Sequence, residues 1–359
     1  MTSAGKSRID GVRAALAARL SCPVADLTPL ADTGLAHDHI VIGETGTLAR
    51  IPKQSQLDLG AEENLAYQAA CFSRTSASGH TPRLHDALAP DDALPMGALI
   101  VDHIVGRPLM LPGDLTAMAE CLAAIHALPL PEATGRAPLK NPPDTLADTF
   151  TEILLQSAFI ARAELHPEAE AQIREELQAA GRTLARPERP ATTLIAFDAH
   201  PGNYLLDKNG HAILVDLEKA RYGAPGFDVA HASLYTSTTW DVESRAVLSR
   251  SEVSAFHAAW LNAVPHDLAE ASADWLLPLR QMMWLWSVTW CAKWKVQSHE
   301  AAGVSDSTEN WSAELSEDSL VAHVADRVAD YLDPDTIAQV RTDWSEPDAT
   351  IASATALSS

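Results

Sequence analysis

The dipeptide Asn209-Gly210 constrains this chain more than any other feature. It lies between two short apolar runs, Tyr204-Leu205-Leu206 and His211 to Val215. Asn-Gly supplies the positive φ values of a tight hairpin turn, so the two runs read as paired strands. If Asn209 and Gly210 alone form the loop, Lys208 faces His211 and Asn203 falls opposite Asp216. A type I turn with a bulge shifts that pairing by about one residue. In either register an amide oxygen and a carboxylate meet at one end of the hairpin. Hard oxygen donors of this kind suit Mg²⁺. Asp198 precedes Asn203 by a turn containing Pro201 and Gly202, which keeps it near that end without sharing the strand.

The order Asp198, Asn203, hairpin, Asp216 resembles the catalytic and metal-binding segment of kinase-like phosphotransferases. His200-Pro201-Gly202-Asn203 and the later Gly223-Ala224-Pro225-Gly226-Phe227-Asp228-Val229-Ala230 are similar to motifs of the aminoglycoside phosphotransferase and choline kinase superfamily. Weaker likenesses run from about residue 24 to about residue 295. Leu48 to Pro52 resembles the strand carrying a phosphate-clamping cation, here Arg50. Leu99 to Asp102 with Gly106 to Leu109 resembles the strand and hinge between lobes. Leu122 to Leu128 resembles the first long helix of the second lobe. Two positions depart from the family pattern. Ala196 stands where a His is usual and Phe197 where a Gly is usual. The nucleotide-covering loop, Asp32-Thr33-Gly34-Leu35, holds a single Gly.

The resemblance implies an α+β protein with a two-lobed protein-kinase-like fold. The expected lobes are a strand-rich N-terminal one over 1–103 and a mostly helical C-terminal one over 104–344, with a loose tail over 345–359. It implies a small-molecule kinase that moves the γ-phosphate of ATP to a hydroxyl, with Mg²⁺ as cofactor. Asp198 would orient the acceptor hydroxyl and take its proton. Asn203 and Asp216 would hold the metal. Arg50 would brace the phosphates, paired with Glu63 in preference to Glu62. The backbone from His103 to Val105 would meet the adenine. Asp228 would accept backbone hydrogen bonds from the catalytic loop, His200 would brace that loop, and His126 would pack. The alternative is a nucleotide-binding pseudokinase acting as an interaction module.

Composition sets outer bounds. The chain's 359 residues allow one large or two ordinary domains with ample core. A formal charge of −22 argues against nucleic acid as a partner and is compatible with a cationic small molecule, although acidic surfaces also serve solubility. The N-terminus lacks an apolar run long enough for a signal peptide or transmembrane helix. Cys22, Cys71, Cys121 and Cys291 are widely spaced, so reduced thiols and a cytoplasmic location are expected.

Local patterns predict strands at 39–42, 47–51 and 98–103. They predict helices at 9–20, 59–72, 115–128, 145–165, 168–184, 251–263, 271–296 and 315–332, with Pro278 either kinking the 271–296 helix or marking its start. Trp286, Trp290 and Trp294 recur on one helical face. The expected reading is a core stripe for at least two of the three; the alternative is an aromatic wall for a substrate.

Overall fold

The computed structural model describes residues 3–30, 36–300 and 318–345. The nucleotide-covering loop at 32–35 and nearly all of the expected tail lie outside the described residues. Contacts along the chain divide it into two compact units. The first comprises 1–76, 82–104 and 297–326; the second comprises 77–81, 105–296 and 327–359.

The first unit is built on an antiparallel sheet of five strands: β1 (Leu27–Pro29), β2 (His37–Ile42), β3 (Thr47–Pro52), β4 (Leu84–Leu88) and β5 (Ala98–Asp102). Their spatial order is β1-β2-β3-β5-β4. The β2–β3 turn contains Gly43 and Gly46, both at positive φ, as the Gly-x-x-Gly spacing predicts. Strand alternation sends Ile40, Ala49, Ile51, Ala98 and Ile100 into one core. Helix α1 (Ser3–Leu20) closes that core with Val12 and Leu16, and Arg8 pairs with the buried Asp38 at 2.6 Å. Helix α2 is Ala61–Thr75. Strand β4 escapes the sequence pattern because three of its five residues face solvent and carry no apolar alternation.

The second unit is mostly helical. Its helices α3 (Leu115–His126), α5 (Pro167–Leu184) and α8 (Arg250–Ala263) lie close to the expected spans, and α4 is Thr145–Ser157. The expected helix at 145–165 stops at Ser157. The one expected at 271–296 is divided into α9 (His266–Ala273) and α10 (Leu276–Glu300). Pro278 falls in the first turn of α10, where its missing N–H costs nothing, so it marks a start and not a kink. Helices α11 (Asp318–Tyr331) and α12 (Pro334–Ser345) end the described chain. Two small sheets accompany these helices. One pairs β7 (Thr193–Ile195) with β10 (Arg221–Gly223). The other joins β6 (Arg107–Pro108), β8 (Tyr204–Leu206) and β9 (Ala212–Leu214). Helix α6 (Gly226–Ser233) and the short α7 (Tyr235–Thr238) follow β10. Among the described residues no helix is long and apolar enough to cross a membrane.

Candidate active site

The loop leaving β7 is held from behind by one buried carboxylate. Asp228, in the first turn of α6 and fully buried, accepts the backbone N–H of Ala196 at 2.7 Å and that of Phe197 at 2.8 Å. Its Oδ2 also faces His126 Nε2 at 3.1 Å, and Trp260 Nε1 donates to His126 Nδ1 at 3.0 Å. The indole has only a donor, so His126 Nδ1 is the acceptor and Nε2 carries the proton toward Asp228. Asp228 thus performs the bracing expected of it. His126 does more than pack, because it hydrogen-bonds the brace.

Phe197 takes φ +62, the left-handed region where Gly is at no disadvantage. Its ring is 1 % exposed. Arg221 Cζ stands 3.8 Å above the ring, and Trp286 and Phe227 meet it edge-on at 5.4 and 6.2 Å. Arg221 is itself held by Glu152 at 2.8 Å, and Glu152 also takes the Trp286 indole proton at 3.1 Å. The side chain therefore fills a packed, charged niche that offsets the strained backbone.

Asp198 follows directly. Its Oδ2 is 2.7 Å from Lys219 Nζ, and 17 % of the side chain is open. Burial alone would raise its pKa. Lys219, with His200 and His231, prevails and holds the carboxyl below the ordinary range, against the push of Asp216. Burial lowers the Lys219 ammonium, but Asp198 and Glu218 raise it on balance, so both partners are charged. Lys219, three residues after Asp216, was missed at the sequence level, where nothing distinguishes it from the nearby Arg221. The 3₁₀ turn Pro201–Asn203 then lets Asn203 Nδ2 donate to the Asp198 carbonyl at 2.8 Å, which leaves its Oδ1 to act as a ligand.

The hairpin adopts the bulged register. Leu206 faces Ala212 and Tyr204 faces Leu214, and Val215 N–H reaches the Asn203 carbonyl at 2.9 Å. Asn203 is thus opposite Val215, and the direct Asn203–Asp216 pairing is corrected by one residue. The reason is the turn. Gly210 N–H closes on the Asp207 carbonyl at 3.1 Å, and Gly210 alone is left-handed, at φ +83, giving a type I turn with a Gly bulge. Asp216 stands one residue beyond that pair and near enough to Asp198 and Lys219 to act on both electrostatically. Among the described residues no group of three His, Cys, Asp or Glu side chains would hold a metal alone. The pair of an amide oxygen and a carboxylate fits Mg²⁺, which commonly takes one or two protein oxygens and completes its shell with phosphates and water.

In the first unit Arg50 is 3 % exposed on β3, over the Phe72 ring at 5.7 Å. Its Nη2 is 3.1 Å from His37 Nδ1, and His37 Nε2 is 3.2 Å from Gln68 Oε1 on α2. Glu63 is exposed, so the structure does not bring it to the buried guanidinium. The inward face of α2 carries Asn64 and Gln68, and Glu63 is turned about 100° away from Asn64. His103 N–H is already used by the Gly46 carbonyl at 2.9 Å, which leaves only its C=O for a ligand. Val105 is 76 % exposed and begins the second unit's main segment.

Of the tryptophan stripe only Trp294 is buried, at 7 %; Trp286 and Trp290 are half-buried. The expectation of core for two of the three is therefore corrected. Met282, Met283, Trp284, Leu285 and Val288 of the same helix are fully buried. Trp290 meets Trp240 at 5.8 Å. Next to Trp240, Asp241 packs on the catalytic loop so tightly that a Cβ at Gly202 would lie 2.9 Å from its Cβ.

The sequence profile of the phosphotransferase enzyme family matches residues 40–269. The chain belongs to this family and is a small-molecule kinase acting on a hydroxyl acceptor. No curated protein matches it. Among solved structures it is similar to a choline/ethanolamine kinase family protein from Mesorhizobium loti, with 17 % identity, TM-score 0.59 and coverage of 97 % of this chain and 98 % of that one. It is similar to choline kinase from Cryptosporidium parvum, at 13 % identity and TM-score 0.56 over 94 % of this chain and 96 % of that one. It also resembles the GDP complex of aminoglycoside 2'-phosphotransferase-IIIa, at 16 % identity and TM-score 0.54 over 84 % and 92 %. At these identities the likeness shows the protein-kinase-like fold.

Proposed function

We propose that this protein transfers the γ-phosphate of ATP to the hydroxyl of a small cytoplasmic compound, with Asp198 as the proton acceptor. One observation carries the reading: an ionised, partly open Asp198, fixed by Lys219, shares a loop with Asn203 and stands within electrostatic reach of Asp216. The acceptor oxygen would form its bond to the γ-phosphorus as the bond to the bridging oxygen breaks, and the hydroxyl proton would pass to Asp198. Lys219 would keep that carboxylate ionised and fix its direction. Mg²⁺, held by Asn203 Oδ1 and Asp216, would neutralise charge on the phosphates. Arg50 is the candidate cation of the first unit, steadied by His37 in place of a glutamate; the His103 carbonyl and the Val105 N–H are the candidate contacts for the base. The rate would come mainly from positioning and charge neutralisation.

The aromatic pair Trp240–Trp290 and the Asp241 carboxylate beside Gly202 favour a cationic acceptor, which indole faces and an acid attract together. ATP consumption measured against a panel of hydroxylated compounds tests both statements. Turnover with a cationic alcohol, abolished in Asp198→Asn, is the expected result. Turnover that survives in Asp198→Asn defeats the proton-acceptor role, and a strict preference for neutral acceptors defeats the cationic one.

A further inference from the structure

Helix α6 presents two side chains to the catalytic loop from successive turns. Asp228 braces Ala196 and Phe197. His231, three residues on, faces Asp198. Its Nδ1 is buried, has no hydrogen-bond partner among the described residues, and lies 3.9 Å from Asp198 Oδ1. The residue is 8 % exposed. A buried polar atom without a partner is uncommon and asks for a reason.

The charges around the ring determine which atom faces the carboxylate. Burial lowers the His231 pKa to about 4; Asp198 and Asp228 oppose that, while His200 and Lys219 reinforce it. The ring is therefore neutral near pH 7 and carries one proton. With that proton on Nε2, the Nδ1 lone pair would confront an ionised oxygen. With it on Nδ1, an N–H dipole points at the oxygen. The second tautomer is favoured electrostatically. At 3.9 Å the contact exceeds a hydrogen bond, and catalytic hydrogen bonds commonly tighten only when the substrate is bound. Lys219 already occupies Oδ2, which leaves Oδ1 as the oxygen for an incoming hydroxyl.

We propose that His231 is a positioning residue for Asp198: its Nδ1–H closes on Oδ1 as the acceptor binds and fixes the lone pair that receives the proton. This rests on Asp198 as the proton acceptor.

Two measurements on the full chain test the proposal. The first is the imidazole nitrogen spectrum of histidine-labelled protein, with His231 assigned by substitution. A neutral ring protonated on Nδ1 at pH 7, with a resonance that moves in Asp198→Asn, is expected. An unprotonated Nδ1 overturns the proposal whether or not any acceptor is known. The second is MgATP hydrolysis, in which water takes the acceptor's place. His231→Leu should lower kcat by about tenfold or more while KM for ATP stays within about twofold. His231→Asn, whose side-chain amide can replace Nδ1–H, should recover most of the loss. Equal rates for the Leu and Asn variants at equal melting temperatures overturn the proposal. Absence of turnover in the unmodified protein counts instead against the phosphotransfer reading, and the nitrogen spectrum then decides the His231 question alone.

Discussion

His126 Nε2 and Asp228 Oδ2 lie 3.1 Å apart with both side chains sealed from solvent, and the Trp260 indole behind them selects the tautomer that makes the contact favourable. Asp228→Ala would leave two backbone N–H groups and the His126 N–H buried without acceptors. Each such group costs about 1–3 kcal/mol, so a loss of at least about 3 kcal/mol is expected in urea unfolding. Trp260→Phe removes only the donor behind His126 and should cost less. Equal unfolding midpoints for Asp228→Ala and the unmodified protein would contradict the brace.

Asp216→Ala should weaken MgATP binding measured by calorimetry while the protein still melts near its original temperature. The carboxylate is half-buried, so its loss should leave folding largely intact. Unchanged affinity would remove Asp216 from the metal.

Asp198→Asn should lower kcat by about 10²–10⁴, the range for a positioned general base, and leave ATP affinity almost intact. Lys219→Met should slow the reaction less, because the carboxylate remains but is no longer fixed on Oδ2.

Phe197 allows a test in which backbone and side chain pull in opposite directions. Phe197→Ala and Phe197→Gly both lose the ring, at about 3–5 kcal/mol. Only Gly relieves the left-handed backbone, so it should be the more stable of the two by about 1–2 kcal/mol. Thermal melts of the pair settle the order, and Ala above Gly would show that φ carries no strain here.

Stability should fall as the pH drops from about 6.5 because of His257. Burial, with Arg280 nearby, lowers its pKa from 6.5 to about 3. Between those values the unfolded chain binds a proton that the folded one does not, so unfolding gains about 1.4 kcal/mol per pH unit. The contribution is absent above pH 6.5 and complete below about 3. His257→Phe should flatten the unfolding midpoints measured between pH 6.5 and 5; an unchanged slope would place the proton uptake elsewhere.

The legible parts of the site were local in sequence. Asn209-Gly210 announced the hairpin, and the run from Asp198 to Asp216 announced the carboxylates and the amide. Even there the register turned on one torsion at Gly210, which composition cannot distinguish between two turn types. Lys219 and His231 were not legible, because their meeting with Asp198 depends on how β10 and α6 fold back. Arg50 was placed correctly on its strand, but which residues of α2 face inward depended on helix rotation, and Gln68, which reaches His37, faces inward where Glu63 does not. Helix α12 has a readable start: Asp333 before Pro334 caps the N–H groups of Asp335 and Thr336 at 2.9 and 3.1 Å.

The ring of Phe197 has an evolutionary consequence. Once Arg221 is stacked on it and Glu152 is committed to Arg221, a return to glycine at 197 opens a hole and strips a buried cation of its aromatic face. Replacing Arg221 first leaves Glu152 with less countercharge. Single substitutions at 197, 221 and 152 should therefore each look harmful, while a suitable triple change should be tolerated, because energies of touching residues do not add. The three positions are expected to drift as one inherited unit, and a survey of single mutants would overstate how fixed any one of them is.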